Sequence, residues 1–419
     1  MEGDALARGT AEAVARRSYG KLVAFLAART RDVAGAEDAL SDAFAAALTN
    51  WPEHGVPDNP EAWLLTAARR RAVDASRHKR RGDQASDHLK LMAEELSGAN
   101  DNTMPDQRLA LMFACAHPAI DAAIRSPLIL QTVLGFDAAA IASAFLVAPA
   151  AMGQRLVRAK TKIRAAGIPF RVPEKDELHD RLEGVLEAIY AAYAEGWSDP
   201  SGTDVHRRNL AEEGIWLGRL VATLLPNEPE ALGLLALMLH TEARRRARRD
   251  AQGNFVPLAD QSTCLWNTEM IAEAEELLRR AQSMGRIGRY QLEAAVQSAH
   301  AVRRMAGSAD WAAIVMLYDA LFALTASPVV AINRAIAIAE TDGAAAGLAA
   351  LERAGTDARM WNYQPYWAAR AELLARDGRA AESCAAYEQA IGLEADPAIR
   401  RFLLQKRMLA SGDHAGSEA

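Results

Sequence analysis

Residues Pro60–Arg81 read PEAWLLTAARRRAVDASRHKRR, and this stretch decides how the N-terminal part of the chain is interpreted. It follows Asn59, and Asn before Pro is a strong helix start, because the amide caps the first turn and proline fits the first helical position. The stretch carries seven Lys or Arg against two acidic residues, while Leu64, Leu65 and Ala68 leave an apolar side for packing. It therefore predicts a basic amphipathic helix.

The positive charge of this chain is concentrated, although the whole chain is acidic, with 48 Lys or Arg against 54 Asp or Glu. A second block, Gln154–Arg171, holds six Lys or Arg and no acidic residue. Two basic patches near one end of an acidic protein indicate nucleic-acid binding at that end, the alternative being a solvated basic face. Trp63 is read either as a core residue or as a surface on which a base stacks. The expected phosphate contacts of the first patch are Arg69, Arg70, Arg71, Arg77, Lys79, Arg80 and Arg81.

The bulk composition predicts an all-α protein of two or three domains, since 419 residues exceed one compact core and β-branched alternation is scarce. Three widely spaced cysteines argue against a zinc site, and no cofactor is expected. No HExxH, GxSxG, P-loop or GxGxxG motif occurs, so an enzyme, whether hydrolase or metalloenzyme, is not expected. Neither a signal peptide nor an apolar run of about 18 residues is found, which predicts a cytoplasmic protein.

A helical pattern precedes the basic stretch. Apolar residues recur there at the three- and four-residue spacing of a helix stripe: Ala39, Leu40, Ala43, Phe44, Ala47 and Leu48. Trp51-Pro52 is predicted to end that helix, because proline disfavours helical backbone in the residue before it.

The second basic block lies in a pair of predicted helices. Asp137 is expected to cap a short helix, and Pro149 to open a longer one after a brief turn, which is helix-turn-helix spacing. The longer helix places polar side chains where a major groove could be read, with Gln suited to adenine and Arg to guanine. The expected DNA contacts of this helix are Gln154, Arg155, Arg158 and Lys162.

From about residue 175 the chain reads as amphipathic helices separated by Gly and Pro. Two Asp-Gly turns, Asp342-Gly343 and Asp377-Gly378, lie 35 residues apart between Ala-rich helices, close to the tetratricopeptide period of 34. The alternative is an ordinary helical bundle. The arginine-rich run Glu242–Asp250 is read either as a solvated helix end or as a nucleic-acid contact.

These segments together resemble a known family, the extracytoplasmic-function sigma factors of bacterial RNA polymerase. Ala36–Phe44, AEDALSDAF, resembles the family's AED-x-x-Q-[ED]-x-F, with Ser41 in place of Gln. Asn59–Asp74 is similar to NP-x-x-WL…ARNRAID, with Arg70 where Asn is usual, and Ile141–Ala159 is similar to region four. Segments such as Gly167–Pro173 look like the subgroup with a long C-terminal helical-repeat extension.

The resemblance implies a division of the chain and a set of partners. The implied domains are a region 2 helical bundle at 10–82, a linker at 83–104, a region 4 helix-turn-helix at 105–171 and a tetratricopeptide-like extension at 175–419. Core polymerase, through its β′ and β subunits, and promoter DNA are the implied partners, and a protein partner could occupy the extension. The extension is expected to modulate transcription initiation in place of a separate anti-sigma protein. The implied polymerase contacts are Glu37, Asp38, Asp42, Phe44 and Leu48.

Two other functions fit the same residues without sigma activity. A stand-alone helix-turn-helix regulator would bind duplex DNA by itself, and a helical-repeat adaptor would bind a protein on its concave surface. Co-elution with core polymerase distinguishes a sigma factor from both.

Overall fold

The computed structural model describes residues 2–79, 107–145, 147–197, 205–355 and 358–412. These residues are helical and contain no strand, which confirms the all-α prediction. One isolated antiparallel bridge joins Arg249 and Phe255. The chain divides into an N-terminal unit, Met1–Gly196 with Val205–Leu220, and a C-terminal unit, Trp197–Asp204 with Val221–Ala419.

The described part of the N-terminal unit consists of helices. In chain order they are α1 (Glu2–Thr30), α2 (Val33–His54), α3 (Pro60–Lys79), α4 (Arg108–Cys115), α5 (Ala122–Leu134), α6 (Ala138–Ala144), α7 (Pro149–Ala165), α8 (Lys175–Trp197) and the first part of α9 (Val205–Leu224). The unit thus continues beyond the segment 105–171, because α8 and α9 pack on it. Gly184 of α8 lies against Ala116, and the Arg108 guanidinium of α4 lies 4.2 Å from the ring centroid of Trp216 of α9.

Local chemistry sets the predicted helix starts. The Asn59 side chain accepts a hydrogen bond from the Ala62 amide at 3.1 Å, and Asp137 accepts one from Ala140 at 2.7 Å. Pro149 is the first residue of α7. These contacts confirm the predicted starts of α3, α6 and α7.

The end of α2 differs from the prediction at Trp51-Pro52. The helix continues through Pro52 to His54 and ends at Gly55, whose φ of 86° is available to glycine. The Gly55 amide donates to the Trp51 carbonyl at 2.9 Å. Proline removes one amide donor, but the following residues can still complete the turn, so Pro52 does not stop the helix here.

The C-terminal unit is also built of successive helices. They are α10 (Pro229–Glu242), α11 (Thr268–Ser283), α12 (Arg289–Ala301), α13 (Arg303–Ala306), α14 (Trp311–Thr325), α15 (Pro328–Asp342), α16 (Ala344–Ala354), α17 (Gln364–Arg376), α18 (Ala380–Leu393) and α19 (Pro397–Ser411). Gly343 and Gly378 have positive φ at the predicted Asp-Gly turns, which confirms both turns. One apolar core, including Leu351, Leu374 and Tyr387, runs through α15 to α19. The tetratricopeptide assignment itself stays a prediction.

The arginine-rich run after α10 is largely used inside the C-terminal unit. Arg245 pairs with Glu242 at 2.6 Å, and Arg249 pairs with Asp396. Arg248 donates to the Trp197 carbonyl at 2.9 Å. Arg244 donates to the side chain of Gln297. Four of the five arginines therefore hold the unit together rather than forming the solvated helix end or the nucleic-acid contact.

Candidate functional site

Helix α2 presents an acidic face with an apolar member to solvent. Asp32 caps the helix, its carboxylate accepting from the Gly35 amide at 3.1 Å. Asp38, Asp42 and Leu48 are exposed. Asp38 and Asp42 are four residues apart and lie on one side of the helix, whereas Leu48, six residues further, lies about 120° away around the helix axis. Phe44 is half-buried beside them. Four of the five predicted polymerase contacts thus reach solvent at least in part.

The fifth predicted polymerase contact, Glu37, lies three turns before Leu48 at a place where α2 is covered by α7. It is 8% exposed, and its carboxylate is paired with the ammonium of Lys160 in α7. Burial raises the pKa of the Glu37 carboxyl, while the Lys160 ammonium acts in the opposite direction. The second carboxylate oxygen, Oε1, has no hydrogen-bond partner among the described residues. In this state Glu37 binds α7 and is covered.

A second ion pair joins α2 to α7 near the start of α2. Arg164 donates to the carboxylate of Asp32 at 3.0 Å. The Arg164 side chain is about half exposed, so this pair alone contributes little to stability. Together with Glu37–Lys160, it fixes which side of α7 faces α2.

Helix α3 combines packing and exposed charge. Trp63 packs edge-to-face on Trp51, with ring centroids 5.5 Å apart, and Trp51 is buried. Arg69 is half-buried, and its guanidinium lies 5.2 Å from the ring centroid of Phe25. Trp63 is half-buried as well. The first turns of α3 are therefore anchored to α1 and α2, which supports a core role for Trp63.

The cationic part of α3 begins after this anchor. Arg70 and Arg71 are exposed, and Arg71 lies 3.6 Å from Asp42 of α2. Because both partners are more than half exposed, solvent screens this pair and either side chain can turn to another ligand. The remaining predicted contacts lie outside the described part of the chain: the side chains of Arg77 and Lys79, and all of Arg80 and Arg81.

Helix α7 has a buried side and a cationic side. Met152, Leu156, Ala159 and Ile163 are buried. The four predicted DNA contacts are all exposed, and no ion pair joins any of them to another described residue: Gln154, Arg155, Arg158 and Lys162. An exposed row of unpaired cations on one helix is a suitable surface for phosphate and base edges.

The contacts of Lys160 and Arg164 with α2 were not predicted from the sequence. Lys160 follows Leu156 by four residues and precedes Ile163 by three, which places it beside the buried row of α7. That spacing is a signal that Lys160 faces the protein. Its partner could not be read from the sequence, because Glu37 is 123 residues away.

Within the described ranges, no three His, Cys, Asp or Glu side chains come together as metal ligands. None of the described helices is both long and apolar enough to span a bilayer.

Comparisons with known proteins place two families on the chain. The family described as Sigma-70 region 2 matches residues 14–82, which include α2, most of α1 and all of α3. A family of unknown function, DUF6596, matches residues 181–282. An uncharacterized protein of Rhizobium meliloti (strain 1021) is 39% identical over 367 residues, covering 85% of this chain and 86% of the relative. No solved structure matches the chain significantly.

Proposed function

We propose that this chain, which belongs to one family with the Rhizobium meliloti relative and to the sigma-70 proteins through its region 2 domain, is an RNA polymerase sigma factor that directs promoter-specific initiation in the cytoplasm. The observation that carries the proposal is the region 2 match over α1 to α3, the segment that holds both the acidic α2 face and the basic α3. A stand-alone regulator has no need for that first surface.

The exposed face of α2 would dock on the polymerase β′ subunit. Leu48 is 46% exposed and supplies an apolar anchor, and Asp38 and Asp42 are exposed charges on the same helix. An apolar anchor gives affinity when it is buried in the complex, while the surrounding charges guide encounter and fix orientation. Phe44, which is half-buried and lies one turn before Leu48, would pack against the Leu48 side chain.

The basic part of α3 would hold the promoter next to the bases that are separated. Arg70 and Arg71 are exposed at the place where the helix leaves its anchor on α1 and α2. Guanidinium groups offer paired donors to phosphate, and strand separation needs capture of the single strand to offset lost stacking. Arg69 would act from a half-buried position, and Arg77, Lys79, Arg80 and Arg81 would extend the track.

Helices α6 and α7 would read the distal promoter element as a helix-turn-helix, close to the polymerase β subunit. Gln154, Arg155 and Arg158 lie in the first half of α7, the part of a recognition helix that contacts base edges. Lys162, one turn further, would bind phosphate.

The C-terminal unit would modulate this activity. Its helices α15 to α19 share one continuous core, and α14 exposes apolar side chains that include Met316 and Leu324. A surface of this kind suits a protein partner. We include in the proposal that the unit replaces a separate anti-sigma protein.

Gel filtration with core RNA polymerase tests the proposed function. The full chain should co-elute with core enzyme, and Leu48→Ala should weaken binding about tenfold, which corresponds to about 1.4 kcal/mol. Glu53→Gln, at an exposed site near the end of α2, should leave binding unchanged. Tight binding to an operator duplex without any association with polymerase would favour the stand-alone regulator.

A further inference from the structure

A cavity of about 330 Å³ lies within the N-terminal unit, and none of its lining residues is assigned to polymerase or to DNA. This volume falls in the usual size range of small-molecule sites. Tyr19 of α1, on one wall, belongs to the segment that matches Sigma-70 region 2. Glu213 and Trp216 of α9, on another, belong to the segment that matches DUF6596. The cavity is therefore built jointly by both segments.

Two adjacent carboxylates of α9 line the cavity without partners. Glu212 is exposed and Glu213 is half-buried. Neither carboxylate makes a hydrogen bond or an ion pair with another residue in the described ranges. Burial raises the pKa of the Glu213 carboxyl, and the neighbouring Glu212 raises it further, while Arg108 acts in the opposite direction. A cation placed beside Glu213 would stabilise its charged form, which partial removal from water disfavours.

Apolar and aromatic surface lies beside these carboxylates. Trp216 follows Glu212 by one turn of α9 and is 36% exposed. The Arg108 guanidinium lies 4.2 Å from the ring centroid of Trp216, so this indole already contacts one cation. Val133 and Leu134 of α5 line the cavity as well. A bound molecule would thus find carboxylates for a charged group and apolar side chains for its body.

The sign of the charge in the cavity selects the class of ligand. Among the lining residues, Arg108 is the one basic side chain against the carboxylates of Glu212 and Glu213. A ligand with one positive charge brings the sum of these charges to zero, whereas an anion adds to the negative excess. A divalent metal ion requires more oxygen ligands than two carboxylates, and no third His, Cys, Asp or Glu of the described ranges joins them.

We propose that this cavity binds a small organic amine, whose ammonium group pairs with Glu213 and Glu212 and whose apolar body packs against Trp216 and Leu134. The inference goes beyond the proposed function and does not depend on it, because the residues of the cavity belong neither to the docking face of α2 nor to the DNA contacts. It also assigns a chemical role to the DUF6596 segment, which supplies the acidic and aromatic wall of the site.

Ligand-observed NMR with the full chain tests the proposal. The probe is phenylethylamine, which combines one ammonium group with an apolar ring. Phenylethanol is its neutral counterpart and phenylpropionate an anionic one, so the comparison shows whether the positive charge decides binding. Magnesium chloride alone tests for a metal site.

Three variants locate the binding site. Glu213→Gln and Glu212→Gln each remove one proposed ion pair with the amine. Glu187→Gln is the matched control, because Glu187 is exposed on α8 and does not line the cavity. Circular dichroism verifies that each variant is folded.

We expect wild type to bind phenylethylamine saturably, with a dissociation constant of about 1 mM or below, and to bind the alcohol and the anion at least about tenfold more weakly. Glu213→Gln should weaken amine binding about tenfold, and Glu212→Gln should weaken it less, because Glu212 is exposed to solvent. Glu187→Gln should match wild type. Acidification through the raised pKa of Glu213 should weaken amine binding, because a protonated carboxyl cannot pair with an ammonium group.

Several outcomes would overturn the inference. They are absence of saturable amine binding by wild type, equal affinity for the amine and the alcohol, unchanged affinity in folded Glu213→Gln, and binding of magnesium in place of the amine. None of them affects co-elution with core enzyme, so the proposed function would remain. Conversely, wild type that binds the amine but does not co-elute with polymerase would keep this site and remove the proposed function.

Discussion

At the scale of single residues, Gly20 is a position in the N-terminal unit where the close approach of two helices leaves no room for a side chain. A methyl group there would meet the Val133 carbonyl at 1.8 Å, a distance that only displacement of α1 or α5 can relieve. Gly20→Ala should therefore lower the free energy of unfolding by about 1–3 kcal/mol, the usual cost of overpacking. Urea unfolding followed by circular dichroism measures this change.

Gly9 provides the matched control on the same helix. A Cβ at Gly9 meets nothing within 4 Å, so Gly9→Ala should be neutral or stabilise α1 by up to about 1 kcal/mol. Equal stability changes for the two variants would show that α1 and α5 do not approach closely in solution.

Two buried histidines make the stability of the C-terminal unit depend on pH. Burial, with a smaller contribution from Arg244, lowers the pKa of His240 to about 4, although Glu275 lies 3.4 Å away. Burial, together with Arg244 and Arg303, lowers the pKa of His300 to about 4 as well. Neither ring is charged at neutral pH in the folded chain.

The sign of the effect follows from these two pKa values. The unfolded chain takes up protons near pH 6.5, before the folded chain does, so acid favours unfolding. The free energy of unfolding should be constant above about pH 6.5 and should fall between about pH 6.5 and 4. The total decrease over this range should be about 3 kcal/mol for each histidine. Urea unfolding across this range checks the slope, and His300→Gln should reduce it by about half. An unchanged slope in His300→Gln would contradict the assignment.

At the scale of elements, α7 carries the proposed DNA contacts on one side and packs against α2 on the other. Arg155 and Arg158 point to solvent, while Lys160 faces Glu37. Replacing Arg158 by Gln should lower the slope of log affinity against log salt by about 1 for promoter DNA bound to the polymerase complex. Core binding without DNA should not change.

Thr161→Ala is the control for this prediction. Thr161 is exposed on α7, but its hydroxyl donates to the Val157 carbonyl of its own helix at 2.9 Å. Its removal should leave the salt slope intact. If Arg158→Gln releases polymerase as well as DNA, the division of labour between α2 and α7 is wrong.

Local signals account for what the sequence could predict at this scale. The caps at Asn59 and Asp137 and the start at Pro149 depend on side chains within three residues of the backbone that they serve, so the pattern alone locates them. The exposure of Arg155 and Arg158 follows from the apolar spacing of Leu156 and Ile163 in the same way.

Contacts between distant segments could not be predicted. Nothing around Glu37 distinguishes a carboxylate that docks on polymerase from one that pairs with Lys160, because that depends on how two helices 123 residues apart pack. Gly20 has the same difficulty, since an isolated glycine in a helical pattern does not reveal which backbone approaches it.

At the scale of the whole molecule, the two units suggest where to divide the chain. The N-terminal unit includes α8 and continues to Leu220, so a cut near residue 175 would remove helices that pack on it. Removal of residues 227–419 keeps α1 to α9 whole. If the C-terminal unit modulates initiation, promoter-directed transcription should change about fivefold or more, the usual range of allosteric coupling. Run-off transcription measures this, and unchanged output with unchanged promoter choice would remove the modulating role.

Transcription start-site mapping tests the central claim most directly. Purified full-length chain is added to core RNA polymerase on genomic DNA, and the 5′ ends of the transcripts are compared with those made by core enzyme alone. The account predicts new start sites that share upstream sequence elements and disappear when Arg155 and Arg158 are both replaced by Glu. Absence of any new start site, with the full chain and with the chain that lacks residues 227–419, would contradict it.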